Sequence, residues 1–189
     1  AEYIVSEHGQ ANALIAANVM CHIPDLNGIA KGADILLKQD GVLIFEDPYL
    51  GAMLEKTSYD QIYDEHVFMF SALSVANIFD PYGFELIDLL SQETHGGSMR
   101  YVLARKGERE ILSSVAKIVD DEKSAGLHLP ETYECFRESC EASKVRLVRL
   151  LQEEKAAGRR VVGYGATSKS TTILNYCGIG PDLVEFISD

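Results

Sequence analysis

"ALIAANVMCHIPDLNGIAKGADILLKQDGVLIFEDP" (residues 13–48) decides the fold. "ALIAANVM" (13–20) is a short apolar run, read as a buried strand. It leads into "CHIPD", a turn with His22 at its tip. In "LNGIAKGADILLKQDG" (26–41) apolar residues recur at 26, 29, 33, 36 and 37, a helical period that stops at "QDG". "VLIFEDP" (42–48) is a second buried strand, closed by Pro48. Strand, helix, strand in that order is a βαβ unit, and such units build a mostly parallel sheet.

Outward from that unit the pattern continues. "SALSVANIFDPYG" (71–83) predicts a helix that ends before Pro81 and Gly83. "FELIDLL" (84–90) and "MRYVLARK" (99–106) predict strands. Only "ETHGGS" joins them, so they are expected to pair antiparallel at one edge of the sheet. Residues 108–125 and 131–157 are charged and helical. In the second of these, Tyr133, Phe136, Cys140, Leu147 and Leu151 recur at helical spacing, Pro130 suits a first turn and Gly158 a stop. From 159, "RRVVGYGATSKSTTILNYCGIGPDLVEFISD" reads strand, glycine turn, helix, turn, strand. The expected class is α/β: a partial Rossmann-like sheet over 1–106, connecting helices over 107–158, and the start of a second Rossmann-like domain over 159–189. One βαβ unit cannot cover both faces of its sheet, so the chain is expected to open in mid-sheet and to end inside a domain.

Composition narrows the function. Forty-seven per cent hydrophobic residues in 189 suffice for a real core. A net charge of −12, with a pI near 4.8, argues against nucleic acid as a partner, because a phosphate backbone would be repelled. No run of 18 apolar residues and no charged-then-apolar leader appears, so neither a membrane span nor a signal peptide is expected. Cys21, Cys135, Cys140 and Cys177 form no CxxC or finger spacing, so no metal site is read here. They read as reduced thiols in a cytoplasmic setting.

Four stretches carry candidate chemistry. "VVGYGATSK" puts Gly163 and Gly165 where a strand feeds a helix, whose first N–H groups can face an anion, with Lys169 as the cation. Gly163-x-Gly165-x-x-Ser168 holds two of the three glycines of a dinucleotide fingerprint, and only Asp189 could serve as the ribose acid. A nicotinamide site, another phosphate contact and a plain tight turn all fit. "THGGSMR" (94–100) sets His95 in a turn, with Arg100 on the following strand. His22 and Asn18 fall at the carboxyl end of a strand, where open α/β sheets bind ligands. "YDQIYDEHVFMF" (59–70), if helical, lines up Tyr59, Tyr63 and His66, with Glu65 pointing elsewhere. It reads either as a solvated helix end or as a pocket wall with a histidine base, since His takes a proton near neutral pH.

In order, "ANVMCHIPDL", "DGVLIFEDPYL", "YDQIYDEHVFMFS", "HGGSMR" and "GYGATSKSTTILNYCGIGPDL" resemble the C-terminal two-thirds of the sugar C-methyltransferases. The resemblance covers nearly the whole chain and is specific as a combination. It implies methyl transfer from S-adenosylmethionine to a carbon of a nucleotide-linked keto-deoxysugar, the small-molecule partner. It implies a class I methyltransferase sheet, with zinc confined to an N-terminal domain absent from this chain. It implies His66 as general base, Tyr63 and Glu65 as active-site partners and His22 as a second histidine near the sugar. Asn18 would border the cofactor. Gly165, Lys169 and Asn175, with His95 of the "HGGSMR" turn, would meet the nucleotide-sugar. "KSTT" stands where relatives often read "KGNT". Two other readings stay open: a non-catalytic nucleotide-sugar binding module, and an NAD(P)-dependent sugar oxidoreductase using the Gly163–Lys169 turn.

Overall fold

A computed structural model describes all of residues 1–189. The chain packs as two compact units, one of Ala1–Met53 with Glu65–His128, the other of Leu54–Asp64 with Leu129–Asp189.

The first unit is a mixed α/β layer. Its elements are α1 (Glu2–His8), β1 (Ala11–Ala17), α2 (Leu26–Leu36), β2 (Leu37–Pro48), α3 (Leu50–Lys56, whose end enters the second unit), α4 (Ala72–Phe79), β3 (Phe84–Gln92), β4 (Ser98–Arg105) and α5 (Ser113–Ser124). The sheet runs β1-β2-β4-β3. β1 and β2 are parallel, as the βαβ reading requires. β4 is antiparallel to both of its neighbours and lies between β2 and β3, so the expected antiparallel pair holds β3 as the outer strand. Along β2 burial alternates with the strand period: Leu43, Phe45 and Asp47 are fully buried, while Val42, Ile44 and Glu46 are half-buried. Phe45 stacks on its cross-strand partner Tyr101 at 4.7 Å and meets Phe70 edge-on at 5.6 Å. With Leu37, Val75, Phe79, Phe84 and Leu103 these rings form the core.

Two local expectations give way. β1 is a strand but not a buried one: it is an edge strand, largely small alanines, with Ile15 72% exposed. The 26–41 helix stops at Leu36, because Leu37 pairs with Ala11 and opens β2. Ala11 faces Leu37 but Ala13 faces Val42, so extra residues of β2 bulge out. A Cβ on Gly41 would stand 3.2 Å from the Ala11 carbonyl, a close approach that suits glycine.

Glu122 organises the far side of this unit. It is 1% exposed, and its carboxylate accepts hydrogen bonds from the Ala72 N–H (2.6 Å), the Leu73 N–H (2.9 Å) and the Tyr49 hydroxyl (3.0 Å). It thus caps the first turn of α4 from α5, beside the capping box of Ser71 and Ser74.

The second unit holds α6 (Pro130–Ala156), β5 (Gly163–Tyr164), α7 (Ser168–Cys177) and β6 (Ile187–Ser188). α6 opens with Pro130 at its start and closes over Gly158 at φ 71°. β5 and β6 are parallel, completing the expected strand, turn, helix, strand unit. α7 meets α6 through the Tyr176 hydroxyl, which donates to Glu141 (2.6 Å), and through Lys144, whose ammonium lies 4.8 Å from the Tyr176 ring centre. Tyr59 packs against Tyr176 with ring centres 5.1 Å apart.

Candidate active site

Residues 59–70 are not a helix. A single 3-10 turn spans Tyr59–Gln61, and the chain then runs irregularly to Phe70. The backbone groups find tertiary partners instead of an i−4 ladder: the Phe68 N–H donates to the Cys21 carbonyl (3.2 Å), and the Glu65 carbonyl meets the His22 ring (2.7 Å). The helical lining-up of Tyr59, Tyr63 and His66 therefore does not exist. Tyr59 and Tyr63 fall in the second unit, and His66 in the first.

The loop that follows β1 brings its own residues to His66. At Asn18 the backbone is left-handed (φ 53°), and its N–H donates to the Glu46 carbonyl at 2.7 Å. The chain so turns across the carboxyl ends of β1 and β2 and enters a 3-10 turn over Met20–His22. Met20 and Cys21 are buried, and His22 is half-buried. The His22 and His66 ring centres lie 5.1 Å apart. A carbonyl only accepts, so the Nδ1 of His22 carries the proton it donates to Glu65 O, and in the neutral ring the Nε2 keeps the lone pair. The contact to His22 is made by the Glu65 carbonyl, the residue itself being exposed.

Sequence reasoning passed over two residues here. Cys21 stands with its thiol in the same cluster as the two imidazoles, the potential ligand atoms of the three lying within 4.8 Å of one another. Asp47 is wholly buried, with neither carboxylate oxygen in a good hydrogen bond. The Cys21 thiol and the N–H groups of Met20 and Cys21 are among its polar neighbours. Burial pushes the Asp47 carboxyl above the usual carboxylate range, against those neighbours and the charge of His22. Burial, then the adjacent Asp47, pushes the Cys21 thiol up to about 12. The signal for Asp47 lay in the alternation: Leu43, Phe45 and Asp47 share the core face of β2.

His95 lies in the β3–β4 turn, left-handed at φ 53° and exposed. Because Ser98 pairs with Pro48, this turn stands at the same sheet end as Asn18 and His22. It is tied there by Thr94, which donates to Glu46 (3.1 Å), and by the Arg100–Glu46 ion pair (2.8 Å).

The remaining candidates belong to the second unit. Gly165, at φ 92°, makes the turn between β5 and α7, and Lys169 sits in the first turn of α7. Thr167 caps that helix, accepting from the Ser170 N–H (3.2 Å). The Ala166 N–H donates to the Asp189 carboxylate at 3.1 Å, so the acid that follows β6 reaches the glycine turn. Asn175 is six residues further along α7 than Lys169, about 9 Å by helical rise, and does not join that turn.

Residues 93–189, just over half of the chain, match the model of the C-methyltransferase C-terminal domain, and residues 2–89 match that of a methyltransferase domain. The chain is 32% identical over its 189 residues to C-methyltransferase NovU of Streptomyces niveus and spans 45% of that relative's length. A crystal structure of a SAM-dependent methyltransferase from Anabaena variabilis aligns with a TM-score of 0.40 at 21% identity, over 55% of this chain and 53% of the other. No helix is long and apolar enough to cross a membrane. With its two stretches matched end to end, the chain belongs to the C-methyltransferase family.

Proposed function

We propose that this chain serves S-adenosylmethionine-dependent methylation of a carbon in a nucleotide-linked keto-sugar, with His66 as the base. The observation that carries the reading is the pair of imidazoles 5.1 Å apart at the carboxyl end of two parallel strands, where open α/β sheets take ligands. The identity with C-methyltransferase NovU supports it.

The residues present fit a methyl donor at this sheet end. The left-handed turn at Asn18 leaves an exposed amide side chain beside the buried Met20 and Cys21, and Asn18 would contact the cofactor there. When bound, S-adenosylmethionine supplies an electrophilic methyl group on a sulfonium.

A carbon acquires nucleophilic character once a proton beside its carbonyl is removed. His66 takes that proton, leaving an enolate on the sugar; a bound methyl donor would supply the methyl group to the enolate carbon, the sulfur keeping the electron pair of the broken methyl–sulfur bond. His22, its Nδ1 proton committed to Glu65, offers an Nε2 lone pair to a substrate hydroxyl. Tyr63 keeps the role the resemblance implies, a donor to developing negative charge. Gly165, Lys169 and Asn175 contact the nucleotide-sugar, and His95 the sugar. Asparagine at 66 has no comparable basicity. Turnover of a keto-sugar nucleotide by His66→Asn should fall about 10²–10⁴-fold, with cofactor affinity by calorimetry unchanged. Near wild-type turnover by this variant would remove His66 from the role.

A further inference from the structure

We propose that Cys21, His22 and His66 form a binding site for a borderline-soft divalent ion of the zinc class, and that an occupied site silences the histidine pair. The three side chains offer one sulfur and two nitrogens within 4.8 Å of one another. Tetrahedral zinc with one Cys and two His places such atoms about 3.3–3.7 Å apart, so closing any pair by at most about 1.5 Å, through side-chain rotation, completes the set. One thiolate with two imidazoles suits zinc, cobalt or copper and not magnesium or calcium.

Two further observations point the same way. His22 is already held as metal-binding histidines are: one ring nitrogen donates to a main-chain carbonyl, and the other is left with its lone pair. Asp47, wholly buried with neither carboxylate oxygen well hydrogen-bonded, stands beside the Cys21 thiol as an unpartnered polar side chain at the cluster. On binding, the Cys21 thiol gives its proton to solvent. The thiolate and the two imidazole lone pairs then bond to the ion, leaving one position open.

The consequence for catalysis rests on the proposed methyl transfer: a metal-bound His66 has no lone pair with which to take a proton. The site itself does not depend on that reading.

The test uses the purified, reduced chain titrated with Co²⁺ alone and then with Zn²⁺. The expected result is a thiolate-to-cobalt charge-transfer absorption that saturates at one equivalent and is abolished by Zn²⁺. Cys21→Ser loses the band, whereas Cys135→Ser, at an exposed cysteine, keeps it. His66→Asn weakens Co²⁺ binding at least about 10-fold. The proposal is overturned if the wild type shows no stoichiometric band, if Cys21→Ser retains it, or if His66→Asn binds with unchanged affinity. Should Cys21→Ser fail to fold, the half-buried His66→Asn carries the test. A cobalt band in a chain inactive toward keto-sugars removes the proposed function and leaves the metal site standing. Turnover insensitive to Zn²⁺ that binds at the cluster removes His66 as base.

Discussion

A main-chain carbonyl sets the state of His22, and that has a consequence for Glu65. Glu65→Gln keeps the carbonyl that meets His22 Nδ1, so it is expected to cost less turnover than His66→Asn in a parallel assay. Asp47 and Tyr101 invite the opposite kind of test, because each buries a polar group without a good partner. Burial raises the Asp47 pKa, so the folded state holds its proton more tightly than the unfolded chain. Below the unfolded pKa both states are protonated and the carboxyl carries no penalty. As pH rises past it, the folded state bears the cost of a buried charge, and stability falls. Asp47→Asn removes that cost, so its gain in melting temperature should be larger at about pH 8 than at about pH 5. A gain independent of pH would contradict the burial argument. The Tyr101 hydroxyl is fully buried beside the core, so Tyr101→Phe should be neutral or stabilise by up to about 1 kcal/mol in denaturant unfolding.

At the scale of elements, α4 depends on a side chain from another helix. Glu122 receives two N–H groups of its first turn and the Tyr49 hydroxyl. Glu122→Ala orphans these donors in a buried place and should cost about 3 kcal/mol. At about 2–4 °C per kcal/mol for a chain of this size, the melting point should drop about 6–12 °C. Glu122→Gln keeps one acceptor oxygen and should lose less. The α4 boundaries were legible, since Ser71, Pro81 and Gly83 are local stop and start signals. The end of α2 was not legible. Leu36 and Leu37 continue the helical period, and only pairing of Leu37 with Ala11 turns the chain into a strand.

For the molecule as a whole, 29 acidic against 17 basic side chains leave a net charge of −12. Ion pairs such as Arg100–Glu46 neutralise charges locally and do not alter that sum. Self-repulsion of this size opposes the folded state, and salt screens it over about 10 Å at 0.1 M. The melting temperature at neutral pH should therefore rise as sodium chloride is increased from about 0.01 to 0.3 M in calorimetry. A fall would mean that the surface ion pairs outweigh the net repulsion.

What could be read from the order of residues was what depends on near neighbours. Period 2 and period 3.6, proline and glycine stops, and the βαβ succession are local geometry, and they set the class of fold and the antiparallel pair of β3 and β4. The motif "IYDEH" marked His66, and the end of a strand marked Asn18 and His22. Only the tertiary structure decided that Cys21 and His22 meet His66 across more than 40 positions, and that the 59–70 stretch has no helix. The reason is physical. A hydrogen bond to a distant carbonyl competes with the one four residues back, and the outcome depends on where the rest of the chain has been folded.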